Sequence, residues 1–220
     1  MNRFFNPFVG SKYEEGICGK KILVLGASFY CNKFECQYFS KCTNPESKNS
    51  SDYNKKCPYP ECEGKPLSDY PTTAINERYK PYQKFQRLIQ SIIGSCNYEE
   101  TWNRMSFTDY VQFFVPTTKT EKSYLSQRDF EALCETIKEL QPDVVFSWGM
   151  AILEEIREKN KYVIDKEKLS ETDYYVCHMR VSDVNHEITL ISSYHPSSGK
   201  KYWDNHLETL QKHVKQVLGG

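Results

Sequence analysis

Thr189-Leu190-Ile191-Ser192-Ser193-Tyr194-His195-Pro196-Ser197-Ser198 is the stretch on which the fold turns. Ile188, Leu190 and Ile191 make an apolar, β-type run that stops abruptly at a histidine, a proline and two hydroxyls. A buried strand with that ending delivers polar groups to the edge of a sheet. In open parallel α/β sheets the carboxyl edge is where ligands bind. Pro196 fixes its own φ and drives His195 toward an extended backbone, which gives the imidazole a defined direction. Taken alone, the same residues also describe a strand that ends in a proline turn, with His195 a satisfied histidine. A second strand end far upstream has the same character. Residues 20–25 read K-K-I-L-V-L and run into Gly26-Ala27-Ser28-Phe29-Tyr30.

Further elements follow from periodicity. Residues 82–93 place Phe85, Leu88, Ile89, Ile92 and Ile93 on one helical face, and Gly94 ends the helix. Residues 105–115 read as a second strand with a polar break at Thr108-Asp109 and a stop at Pro116. Residues 126–140 read as a helix with Ser126 as N-cap and Asp129 three residues on, a variant of the capping box. A third buried strand at 143–148 is closed by Gly149, and a helix at 150–159 turns Ile152, Leu153 and Ile156 inward. Two strands at 174–181 and 187–192 are joined by the turn 182–185, and a helix at 203–218 carries Leu207, Leu210, Val214 and Leu218 on one stripe. This order predicts an α/β domain spanning 1–220, a three-layer α/β/α sandwich around a mostly parallel sheet.

The bulk composition narrows the partners. Lys+Arg and Asp+Glu both number 29, so no overall basic field drives non-specific nucleic-acid binding. No apolar run approaches the ~20 residues of a membrane span, and 1–4 lacks a signal-peptide core. A reducing cytoplasm is therefore expected, with the nine cysteines as thiols or metal ligands rather than disulfides.

Five of those cysteines, Cys31, Cys36, Cys42, Cys57 and Cys62, fall in a polar segment at 31–71 spaced C-x4-C-x5-C-x14-C-x4-C. A loop of about 40 residues is long for a compact domain, and this one has too little apolar surface to offset its ordering entropy. The expectation is a Cys-rich insertion after the first strand, stapled by one structural Zn²⁺ on Cys36, Cys42, Cys57 and Cys62, with Cys31 as the alternate ligand. Free thiols on a mobile loop are the alternative.

Three polar strand ends, 26–30, 108–110 and 194–198, come to one crevice in this topology. In type and order they resemble the uracil-DNA glycosylase superfamily, over roughly 20–218. That family has a G-x-D-P-Y motif after its first strand, an Asn ending a middle strand and H-P-S after the last. The matches are Gly26-Ala27-Ser28-Phe29-Tyr30, Asp109 in Phe107-Thr108-Asp109-Tyr110, and His195-Pro196-Ser197. The resemblance implies a monomer acting on a nucleobase flipped out of single- or double-stranded DNA. Ser28, Asp109 and His195 would be its catalytic residues, with His195 stabilising negative charge on the departing base. Gly26, Ala27, Phe29, Tyr30, Tyr110, Ser197 and Ser198 would hold the base or flanking phosphates.

The departures are specific. Ser28 stands where the family often has a water-orienting Asp, and Phe29 replaces its Pro. Asp109 replaces the base-reading Asn and supplies a donor–acceptor pair only when protonated. Some members of the family carry an iron–sulfur cluster, but their C-x-x-C pair is absent from this segment. Two other readings use the same residues. One is a catalytically inactive member that keeps the pocket as a binding module. The other is a Ser28–Asp109–His195 hydrolase triad, although Tyr30 stands where the nucleophile elbow needs its second Gly.

Overall fold

A chain that must bury both faces of a strand needs an unbroken apolar run, and Ile22–Gly26 (β2) is buried at every position. In the computed structural model, which describes residues 3–45, 66–94, 96–159, 165–168, 175–199 and 202–219, β2 lies inside the sheet. Met105–Asp109 (β3) and Val144–Trp148 (β4) pair with it in parallel, and Ile188–Ser193 (β7) pairs in parallel with β4. Antiparallel strands finish both sides. Phe8–Val9 (β1) lies on β3, while Tyr175–Met179 (β6) lies on β7 and Asp165–Lys168 (β5) lies on β6. Among the described residues the order is β1-β3-β2-β4-β7-β6-β5.

Side chains alternate across this sheet as the pleat requires. Ile22 and Val24 pack with Phe85, Leu88 and Ile89 of helix Lys80–Ile93 (α3) and with Leu210 and Val214 of Leu207–Leu218 (α7). Leu23 and Leu25 pack with Leu133 and Ile137 of Gln127–Leu140 (α5) and with Ile152, Leu153 and Ile156 of Met150–Lys159 (α6). Helix α5 starts at the reciprocal capping box expected of Ser126 and Asp129. The strand expected at 143–148 and the helix at 150–159 are found as β4 and α6.

The strand expected at 105–115 stops at Asp109. Residues 110–115 stay buried but leave the ladder, because a buried glutamine replaces its hydrogen bonds. The Gln112 side-chain amide donates to the Asp109 carbonyl at 2.7 Å, and its oxygen accepts from the N–H of Phe4 and Phe5 at 2.9 and 3.0 Å. The Gln112 N–H donates to Asp129 Oδ1 at 2.9 Å. The chain then returns alongside the segment after β2, with the Tyr110 N–H on the Gly26 carbonyl and a bridge between Tyr30 and Val115.

Three further elements lie outside the periodicity of the sequence. These are the short helices Tyr70–Asn76 (α2) and Tyr98–Trp102 (α4), and the wholly charged strand β5. The cysteine segment is described at its two ends only. A single helical turn, Phe39–Cys42 (α1), follows β2, and Cys57 and Cys62 lie outside the described residues.

Gln112→Leu tests the break. The substitution keeps the volume and adds apolar character, yet it strips partners from two N–H groups and a carbonyl. Urea unfolding is expected to show a loss of roughly 1–3 kcal/mol or more; unchanged stability would show that the glutamine is not what turns the chain.

Candidate functional site

Strands β2, β3, β4 and β7 all run the same way, so their carboxyl ends lie side by side. A cavity of about 550 Å³ opens there, walled by Ser28, Asp109, Trp148 and His195 from those strand ends. Aromatic rings close the rest. Tyr82 packs on Trp148 with centroids 5.5 Å apart, and Phe29 packs edge-on to Tyr70 at 4.7 Å. Apolar walls with a few convergent polar groups are the character of a small-ligand site.

His195 caps the 3₁₀ turn Pro196–Ser198. Its Nδ1 accepts the Ser197 N–H at 3.1 Å and lies 2.6 Å from the Ser197 hydroxyl. A backbone N–H can only donate, so Nδ1 is unprotonated and the neutral ring carries its proton on Nε2. Burial lowers the pKa of His195 from 6.5 to about 4, so this neutral form is the one present at ordinary pH. The ring stands edge-on to Trp148, with centroids 5.5 Å apart. The site thus holds a neutral N–H donor of fixed orientation.

Asp109 ends β3 and is 3% exposed. Desolvation pushes its carboxyl well above the usual carboxylate range, toward the neutral acid. Gly26 is its register partner on β2, and a Cβ built on Gly26 would overlap Asp109 Oδ1. The glycine is therefore what admits the carboxyl to this place. Burial pushes the Tyr82 phenol well above its ordinary value, so it too stays neutral.

The remaining candidates divide. Phe29 is buried in the cavity wall and Tyr30 is half exposed at its rim. The Ser28 hydroxyl is 2.6 Å from that of Thr120. Tyr110 and Ala27 turn the other way, into the cluster beneath α5 and α6, and are not among the cavity's walls. Ser197 is exposed and engaged with His195. The Ser198 hydroxyl is buried without a partner among the described residues. Nδ1 of His195, the atom a hydrolase triad turns to its carboxylate, is held by Ser197.

Sequence reasoning missed Trp148, Tyr82, Tyr70 and Phe114 as cavity walls. Trp148 had a usable signal, since it ends an apolar strand immediately before Gly149; the others read as ordinary core aromatics. Cys31 and Cys42 also line the cavity, and Cys36 is half-buried nearby in sequence. Among the described residues no group of three potential ligands gathers around a metal position; the expected set includes Cys57 and Cys62, which lie outside them. No helix among the described residues is long and apolar enough to cross a membrane. Comparison with protein-family models gave no match, and comparison with curated proteins gave none.

The state of Asp109 has a signature in stability. Its folded pKa lies above the unfolded value near 3.8, so the folded chain holds more protons once the pH passes that value, and stability falls as pH rises. Asp109→Asn is neutral at every pH and escapes the penalty. The Tm of the variant relative to the parent is expected to climb as the pH rises past the unfolded value near 3.8, and to level off only once the folded carboxyl ionises. A pH-independent difference would mean that the folded carboxyl titrates like an exposed one.

Proposed function

We propose that this chain is a uracil-DNA glycosylase-like domain that takes a flipped nucleobase from DNA and hydrolyses its N-glycosidic bond. The observation that carries the reading is the convergence of a neutral Nε2–H imidazole, His195, and a buried neutral acid, Asp109, on one aromatic cavity at the carboxyl edge of a parallel sheet. The fold we propose is a three-layer α/β/α sandwich interrupted after its first strand by the Cys-rich insertion, acting as a monomer.

The chemistry follows from that pairing. The bond between the sugar C1′ and the base nitrogen breaks with its electron pair going to the base. Negative charge then accumulates on the base oxygen nearest the sugar. Nε2–H of His195 donates to that oxygen and stabilises it without a net proton transfer, as an oxyanion donor does. Water adds to C1′ and loses a proton to solvent. Asp109 pairs with the far edge of the base. Ser28 and Thr120, two hydroxyls in contact, would position the water without deprotonating it.

A uracil-containing oligonucleotide, single- or double-stranded, cleaved with alkali after incubation, tests the reading. Abasic product is expected. His195→Ala should lower the rate about a hundred- to a thousandfold with little change in Tm. Leu190→Ala, in the core, should instead lose roughly 2–5 kcal/mol of stability. Because His195 titrates near 4, the parent rate should lack an acid limb at pH 6.5 and fall only toward pH 4. A histidine variant as unstable as Leu190→Ala would make His195 structural and remove the proposal's central residue.

A second reading is favoured by one feature, the absence of a carboxylate at Ser28. The chain would then bind a base in DNA without turnover, and robust abasic product would exclude it. The zinc site remains part of the proposal. Elemental analysis of protein purified without added metal is expected to give about one equivalent of Zn²⁺, the load of one four-thiolate site. Metal-free folded protein would overturn it.

A further inference from the structure

The exposed aromatic rings of this chain are not scattered. Among the described residues they are Tyr30, Phe34, Tyr79 and Tyr202, with Phe34 the most open at 68%. Tyr30 and Tyr79 line the cavity, and Phe34 follows Lys33, which lines it too. Tyr202 packs on Tyr194, the neighbour of His195, and its N–H donates to the Gly199 carbonyl at the close of the Pro196–Ser198 turn. Strands β2 and β7 flank β4, so Phe34, beyond the end of β2, and Tyr202, beyond the end of β7, come from opposite sides of the strand that ends at Trp148. Three of the rings are backed by a second ring. Phe39 lies 4.9 Å from Phe34, Tyr82 lies 6.4 Å from Tyr79, and Tyr194 lies 4.7 Å from Tyr202, centroid to centroid. A backed ring is held in place before anything binds, which lowers the cost of ordering it. Single exposed apolar side chains need no explanation, but a group of them about one opening marks an interaction site.

We propose that Phe34, Tyr79 and Tyr202, none of them part of the three strand-end motifs, form a stacking rim for the unpaired bases on either side of the flipped one. This rests on the glycosylase-like reading above. Every base has a π-face, so such rings hold a single strand whatever its sequence. In a duplex those faces are spent on the neighbouring base pairs. Phosphate contacts, the other source of affinity, are poorly provided for. The charge of the chain sums to zero, and Lys33 is the one Lys or Arg among the described residues that line the cavity. Affinity carried by stacking and about one phosphate contact falls slowly with salt, with a log–log slope near about −0.7 for a single strand.

The test is fluorescence anisotropy between about 50 and 200 mM salt with single-stranded oligo(dA) carrying one dU. It is compared with the same strand bearing alkali-stable abasic analogues on both sides of the dU, which keep the phosphates, and with the duplex formed with its complement. Base loss is followed by alkaline cleavage. The intact strand should show the shallow slope and bind about tenfold or more tightly than either competitor. Phe34→Ala and Tyr202→Ala should each weaken binding of the intact strand about five- to a hundredfold, leave the abasic-flanked strand unaffected, and leave Tm unchanged. A variant that weakens both strands alike shows that its ring does not meet the flanking bases, and overturns the rim. If the abasic-flanked strand is bound and loses its base as readily as the intact one, the rim is overturned and the glycosylase-like reading stands. If the intact strand is neither bound nor processed, both fail. If the variants convert a dimer to a monomer in sedimentation and leave DNA binding unaltered, the rings are an interface between copies of this chain and the rim is overturned.

Discussion

The parallel register that sets Gly26 of β2 beside Asp109 of β3 is the constraint on which the site depends. A one-residue slip in a strand exchanges its two faces. Here it would carry Asp109 to the cluster under α5 and α6 and bring Thr108 or Tyr110 toward the cavity. Two features hold the register. The side chain of Ile22 is packed against α3 while that of Leu23 is packed against α5, so each face has its own apolar set. Beyond the last ladder pair, the Tyr110 N–H bonds to Gly26 and the Val111 N–H to Ala27, which carries the pairing past the strand end. Gln112 then closes the turn by bonding the Asp109 carbonyl. The backbone that carries Asp109 is thus tied down at the strand end by two backbone bonds to the exit of β2 and one bond from the Gln112 side chain.

Burial at that point determines the chemistry of the cavity. Asp109 keeps its proton and His195 loses its own for the same reason, since each charged form would be taken out of water into an aromatic shell. An acid and a base both pushed toward their neutral forms give these walls polar direction, and Lys33 also lines the cavity. Hydrogen bonds made there act in a low dielectric and are worth more than at the surface.

The sequence carried the sheet's centre because the four parallel strands are short buried segments rich in apolar residues, ending at or near a glycine, an aspartate or a proline turn. The three residues Ser28, Asp109 and His195 were legible because each lies at or just beyond the carboxyl end of such a strand, and a common strand direction collects such groups at one edge. The aromatic walls were not legible. Tyr82 and Tyr70 sit on helices where a buried ring is the ordinary expectation, and only the tertiary arrangement turns one of their faces to a cavity. The length of β3 was misjudged because 110–115 is as apolar and as buried as a strand; what removes it from the ladder is one buried amide bonded to Phe4 and Phe5, more than a hundred residues away. Strand β5 was invisible because D-K-E-K has no apolar alternation.

The same three residues admit two chemistries, and one hydrogen bond separates them. In a nucleophilic triad the histidine gives its Nδ1 proton to the aspartate so that Nε2 is free to take one from the serine. Here Nδ1 is itself an acceptor, bonded by the Ser197 N–H, and Nε2 therefore carries the proton. The ring is set to donate rather than to receive. The Ser28 hydroxyl is turned to Thr120 instead of the imidazole, and Asp109 has no charge with which to support an imidazolium. Each departure removes a role that a triad needs: Nδ1 is taken by Ser197, the Ser28 hydroxyl is engaged with Thr120, and burial pushes the Asp109 carboxyl toward its neutral form. The turn Pro196–Ser198, by presenting one backbone N–H to Nδ1, occupies the ring nitrogen that a triad would give to its carboxylate.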